Sequence, residues 1–423
     1  MLTRIFRHRV VRQSTVQMAG FFAAGLFSYF FQVALSRKLS VESYGEFQSL
    51  LALFAVLGIF SSALSYFVIT HTAVFAHVGD VAAHRHFLKW LARFVLPAVG
   101  FLLVVFLGLT PIVRHVLHLS DAWGFAVVGL SALVSLIAVL HTGALTGWQE
   151  FVTLNVVTVA SSAVKLLVGL FLVSLVPRAT PAAVAVLVSS VSIWLLARTL
   201  GDRRIRARTV EPRRSGEDWR QRYFPQLVVW RDVGFVTFFT LLIALLQNLD
   251  LLLVRHFSTG ALTGQYSALG LAGKIVLWAN LGIVTVVLPA ASAEAAFGRS
   301  AGLRHRAAAT SLIALVSGCA IALFALFPQL ILRILFGARY EEFAGSLWIF
   351  GVIALVLSLL LLEAYIAFAR RDARILLLLA LTTLLFSVSL VAFGNSIRDI
   401  ALSVAGSLTL GYVFALTLNL RRP

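Results

Sequence analysis

Apolar residues along this chain fall into long continuous runs of about 20, the length an α-helix needs to cross the hydrocarbon core of a bilayer. Six such runs lie near 16–35, 44–70, 94–113, 122–142, 152–176 and 181–200. Six more lie near 233–254, 262–289, 307–327, 344–369, 375–393 and 400–420. The pattern predicts an all-α integral membrane protein with about twelve transmembrane helices, because backbone polar groups in lipid must be satisfied within each segment. The first run is full length, follows Arg4, Arg7, Arg9 and Arg12, and lacks a small-residue cleavage site. It reads as a span and not as a cleavable signal.

Composition agrees with this pattern. Apolar residues make up 60% of the 423 and charged residues only 12%, about half the share in a soluble domain. With a mean hydropathy of +0.96, this excludes a soluble enzyme, a disordered chain and a secreted disulfide scaffold. Cys319 is the single cysteine, so the chain has neither an internal disulfide nor a CxxC metal site.

A net charge of +18 would suggest nucleic acid if the basic residues were clustered on a soluble domain. Their positions point instead to membrane topology. With the N-terminus placed inside, 25 of the 35 lysines and arginines fall in inner segments and eight in outer ones, as cytoplasmic loops require. Both termini are therefore expected in the cytoplasm, and the protein in the cytoplasmic (inner) membrane as a multi-pass chain. The longest loop, 201–232, faces inward. Its run Asp202-Arg203-Arg204-Ile205-Arg206-Ala207-Arg208, with Pro212 and Gly216, reads as a solvated basic linker attracted to anionic headgroups. It divides the chain into lobes 1–200 and 233–423.

The lobes share a repeat. Span 1 ends Ser36-Arg37-Lys38-Leu39-Ser40 and leads to Tyr44-Gly45-Glu46-Phe47, whereas span 7 ends Val254-Arg255-His256-Phe257-Ser258 and leads to Thr263-Gly264-Gln265-Tyr266. The hairpins before spans 5 and 11 also correspond: Gly147-Trp148-Gln149-Glu150 and Arg370-Arg371-Asp372. A parallel repeat of six spans keeps the same orientation in both copies.

On the first hairpin, on Asn248-Leu249-Asp250, on Gly264-Gln265-Tyr266-Ser267-Ala268 and on Leu335-Phe336-Gly337-Ala338-Arg339-Tyr340, the chain resembles polysaccharide-type lipid flippases. These are the polysaccharide transporter branch of the multidrug/oligosaccharidyl-lipid/polysaccharide exporter superfamily, and the resemblance covers nearly the whole chain. It implies two six-helix lobes around a central cavity, opened alternately to each side, that move polyprenyl-diphosphate-linked oligosaccharide outward for cell-surface polysaccharide biosynthesis. The expected partners are the lipid-linked glycan, the bilayer and glycan-assembly enzymes, with no nucleic acid. The chain is expected to act as a monomer without a cofactor.

Ionisable groups at membrane depth mark functional positions. Only four lysines exist, and Lys165 and Lys274 lie well inside spans. Asn155, Thr158, Ser162, Lys165 and Gly169 recur at helical spacing on span 5, and Ser267, Gly270 and Lys274 do so on span 8. The small and hydroxyl residues of such faces also serve helix packing. The lysines suit a wet cavity, where an ammonium offers a compact charge and three donors to a diphosphate. Substrate-binding candidates are thus Lys165, Lys274, Asn155 and Ser162.

Coupling or gating candidates are Asp250, Arg37, Arg255 and Glu363. Asp250 suits cation coupling, control of the lysines, or a pair with Lys274 or Arg255 that closes the outer side. Glu363 lies within two turns of Arg370 and suits an ion pair better than a substrate contact. Arg37 and Arg255 mark the outer boundary, where interfacial anchoring competes with a gating role. His71, His77 and His141 lie near inner span ends without metal-ligand spacing and read as interfacial. Pro328 ends span 9, and Leu330–Leu335 fits an interfacial segment.

Other functions fit less well. Cation-coupled drug exporters of the same superfamily resemble one another in an acidic site within the first lobe. Here Glu42, Glu46, Asp80, Asp121 and Glu150 all fall in or beside loops. Peptidoglycan-precursor flippases usually carry two further helices. A membrane enzyme would need a sizeable outer loop bearing catalytic side chains, and no catalytic residues or metal site are expected. A non-transporting scaffold would have no use for lysines at membrane depth.

Overall fold

The computed structural model describes residues 2–207, 230–297, 302–393 and 396–420. Side chains are described within 17–205, 207, 232–284, 306–392 and 396–420. The centre of the basic linker, 208–229, lies outside the described residues.

Fourteen α-helices and two short 3-10 turns make up the described chain. Seven precede the linker: α1 (Leu2–Lys38), α2 (Val41–Leu57), α3 (Ile59–Val78), α4 (Val81–Val116), α5 (Trp123–Gly147), α6 (Phe151–Leu175) and α7 (Ala179–Arg206). Seven follow: α8 (Trp230–Phe257), α9 (Gly260–Phe297), α10 (Gly302–Leu326), α11 (Pro328–Leu335), α12 (Leu347–Ala369), α13 (Arg374–Phe393) and α14 (Ile397–Leu420). Among the described residues, twelve stretches are long and apolar enough to cross a membrane. α2 and α3 together make one of them, Val41–Val78, jointed at Gly58.

Several helices outrun their apolar runs. α4 begins at Val81, well before the run at 94–113, because Asp80 caps it by accepting from the Ala83 amide at 2.8 Å. Arg85, His86 and Lys89 hide the first turns of α4 from a hydropathy scan, yet the opposite face buries Phe87 and Leu91 against Val68, Phe75 and Leu140. Amphipathic burial, not mean hydropathy, sets that boundary. α11 starts with Pro328 at its first turn, buries Leu332 and exposes Leu330 and Ile334, as an interfacial helix would. Outside the spans, the Arg333 guanidinium donates to Glu341 at 2.7 Å, which raises its already high pKa.

The chain divides into two packed units, Met1–Leu39 with Leu53–Thr237 and Ser40–Ala52 with Phe238–Pro423. The first thirteen residues of this second unit come from the start of α2, an exchange that the division at 201–232 does not anticipate.

Within the first unit α5 is central and packs against α3, α4 and α7, while α6 packs against α1 and α7. Within the second unit α12 takes the same place and packs against α9, α10 and α14, while α13 packs against α14. The sequence repeat is thus matched by repeated packing. Its hairpins agree in detail. Gln149 and Arg371 both adopt positive φ, at 56° and 55°. The amides of Trp148, Gln149 and Glu150 bond back to Ala144, Thr146 and Leu145, and those of Arg370, Arg371 and Asp372 to Ile366, Phe368 and Ala367. Both are the same left-handed helix ending, in which otherwise unpaired carbonyls are satisfied.

Candidate functional site

In the first unit, Lys165 lies in the second half of α6 and points at α1. Its ammonium donates to Ser28 Oγ at 2.9 Å and sits 5.6 Å from the centre of the Phe31 ring. Among the described residues it has no carboxylate partner. A serine hydroxyl and an aromatic face use one hydrogen-bond donor and offer no full countercharge. The other predicted residues of this face are half-buried beside α1: Asn155 lies over Gly20, where a Cβ would not fit, and Ser162 is one turn before Lys165. Ser28 and Phe31 escape sequence reasoning because a lone serine in an aromatic-rich span carries no distinguishing spacing.

In the second unit, Lys274 in α9 donates to Asn248 Oδ1 of α8 at 3.1 Å. Asp250, half a turn beyond Asn248, accepts from the Tyr266 hydroxyl at 2.9 Å through Oδ2. Its Oδ1 is buried and accepts no hydrogen bond among the described residues. Asp250 is also the negative charge that acts on Lys274. The two lysines therefore differ. Lys274 has a carboxylate in its field, and Lys165 has none.

The quoted sequence motifs converge at one junction of the second unit. Gly45 in the first turns of α2 meets the start of α9 so closely that a Cβ there would lie 2.6 Å from the Gly264 amide nitrogen. Glu46 is buried and pairs with Arg255 at 3.8 Å. Tyr44 packs edge-on against Tyr340, with ring centres 5.8 Å apart. Gln265 donates to the Arg339 carbonyl at 2.8 Å. Burial raises the pKa of the Tyr340 phenol, keeping it neutral. Arg255 is thus no interfacial anchor: only 5% of it is exposed, and burying its charge requires the Glu46 partner. Arg37 is exposed at the end of α1.

Glu363 forms an ion pair, but with Arg306 instead of the nearby Arg370. The Arg306 Nε donates to its Oε1 at 2.8 Å, and the Asn419 amide donates to Oε2 at 2.7 Å. Together these tie α10, α12 and α14. His71 is buried and stacks on Phe87 at 5.3 Å, so it belongs to the core and not to an interface. Of the other first-half carboxylates, Asp80 caps α4, and Asp121 accepts from Thr180 at 2.8 Å and from the Gly124 amide at 2.9 Å. No cluster of three metal-ligating side chains occurs among the described residues.

No family model and no curated protein matches this chain. Solved structures do. An inward-facing multidrug resistance MATE transporter of the MOP superfamily matches with a TM-score of 0.74 at 12% identity, over 94% of each chain. An outward-facing one matches with a TM-score of 0.66 at 15% identity, over 98% of this chain and 94% of that one. The lipid II flippase MurJ, in an inward closed conformation, matches with a TM-score of 0.66 at 13% identity, over 96% and 87%. At such identities the likeness is one of fold: the chain is an all-α, twelve-span membrane protein built like the transporters of that superfamily.

Proposed function

We propose that this protein is a flippase for polyprenyl-diphosphate-linked oligosaccharide, working by alternating access. The observation that carries the proposal is Lys165. An ammonium buried in a span with a serine as its hydrogen-bond partner is unfavourable unless an anion completes it. A diphosphate supplies that anion, and its oxygens match the donors left on Lys165. Lys274 on the second unit is the proposed second contact. Asp250 offsets its charge when cargo is absent and so weakens its hold.

A second reading is a cation-coupled exporter, favoured by the buried Oδ1 of Asp250, which accepts no hydrogen bond among the described residues. It explains Asp250 but leaves Lys165 without a role, since a cationic drug would be repelled by it. The experiment that separates them is deletion in the native host followed by mass analysis of lipid-linked sugars. Accumulation of one diphosphate-linked glycan supports the flippase. An unchanged lipid profile with increased sensitivity to cationic drugs supports the exporter.

A further inference from the structure

Among the described residues, one face of α13 in the second unit is uncovered. Registering α6 on α13 through Gln149 and Arg371 makes Leu377 the counterpart of Asn155 and Leu384 that of Ser162. Asn155 and Ser162 are half-buried on the α6 face that meets α1. Leu377 and Leu384 are 64% and 61% exposed. Beside them, α13 and α14 enclose a groove of about 530 Å³, lined by Arg374, Leu377, Leu381, Leu385 and Phe414, with Gly411 on its floor. The groove exists because α14 approaches closely there: a Cβ on Gly411 would lie 2.5 Å from the Thr382 methyl.

We infer that this groove binds an anionic glycerophospholipid, with one acyl chain along the leucines and the phosphate on Arg374. Three observations support that occupant. Apart from Thr382 and Thr417, whose hydroxyls donate to the Leu378 and Phe414 carbonyls of their own helices, the lining is apolar except at one end, where Arg374 stands at the first turn of α13 on the arginine-rich loop that also holds Arg370 and Arg371. The Arg374 side chain is exposed and makes no hydrogen bond or ion pair among the described residues. From Arg374 to Leu385 the groove runs about 16 Å at 1.5 Å per residue, the depth of one leaflet. An acyl chain anchored at Arg374 therefore ends near mid-membrane, and basic pockets between transmembrane helices favour anionic headgroups over zwitterionic ones.

The test is native mass spectrometry of the full-length protein released from nanodiscs of equal parts phosphatidylglycerol and phosphatidylethanolamine. The wild type should retain phosphatidylglycerol in preference. Arg374→Gln should lower that retention about fivefold, the weight of one arginine near an anionic headgroup. Leu381→Trp, which fills the groove, should lower it as well, while Leu402→Trp, an exposed position on α14 away from the groove, should leave it unchanged. Equal retention of both lipids, or no loss in Arg374→Gln, would overturn the site. So would loss of the phosphatidylglycerol on adding a polyprenyl phosphate, because the groove would then hold the cargo's own tail.

Discussion

Gly45 and Gly264 occupy equivalent places in the two copies of the repeat, and their backbones meet. No other residue type fits there, since a side chain on either would enter the facing backbone. The pair brings together the motifs around it, so that Glu46 reaches Arg255 and Tyr44 reaches Tyr340. A junction this tight holds the start of α2 on the second unit while the rest of α2 packs with the first. In the proposed flippase, alternating access requires it to release.

That release is open to cross-linking. A Cβ on Gly260 lies 3.4 Å from the Glu42 Cβ, close to the spacing of a disulfide. Glu42→Cys with Gly260→Cys, on a Cys319→Ser background, should cross-link on mild oxidation and stop transport, and reduction should restore it. Adding Gly264→Val should lower the cross-linking yield. Full transport by the oxidised, cross-linked protein would show that the junction does not move.

Topology rests on the distribution of basic residues. On the same cysteine-free background, cysteines within 201–232 should react with an impermeant maleimide only after the membrane is opened, and a cysteine at Gly260 should react in intact cells. External labelling of the linker would invert the orientation.

The ion pair in the second unit is a stability device. Arg306→Ala should destabilise the protein by about 3–5 kcal/mol, because it leaves the buried Glu363 carboxylate without its countercharge. Replacing both with methionine should be milder. Thermal unfolding of the purified variants, read by tryptophan fluorescence, checks the order. Equal loss in the single and double variants would mean that the pair contributes no more than its volume.

Two proposed roles of Asp250 are separable by one variant. If it neutralises Lys274, Asp250→Asn should tighten diphosphate binding while leaving any dependence on an ion gradient intact. If it couples transport to a cation, the same variant should abolish the gradient dependence. Flux at fixed gradients, measured beside equilibrium binding of a diphosphate lipid, distinguishes them.

The twelve spans and the repeat were legible because membrane helices announce themselves by length and because hairpin chemistry survives divergence. Gln149 and Arg371 share a backbone conformation although their side chains share little. Partners were harder to read. Glu363 pairs with Arg306 across helices, and no local spacing distinguishes that choice from Arg370. The assignment of the first turns of α2 to the second unit is likewise tertiary: it follows from two glycines far apart in sequence. Lys165 and Lys274 were visible as rare charges at membrane depth. Which of them lacks a countercharge is decided by α1 and α8, and no pattern within α6 or α9 shows it.

Cargo binding by Lys165 and Lys274 is tested by translocation of a fluorescent diphosphate-linked glycolipid in proteoliposomes at limiting substrate. A lost hydrogen bond to a charged group is worth about 1.5–3 kcal/mol, or roughly ten- to a hundredfold in binding. Lys165→Gln and Lys274→Gln should each slow transport by that order. Lys165→Gln should be the more severe, because no carboxylate offsets Lys165. Arginine at either position should restore part of the rate by keeping the charge. Wild-type rates in both glutamine variants and in their double variant would contradict the account and leave the lysines as structural residues.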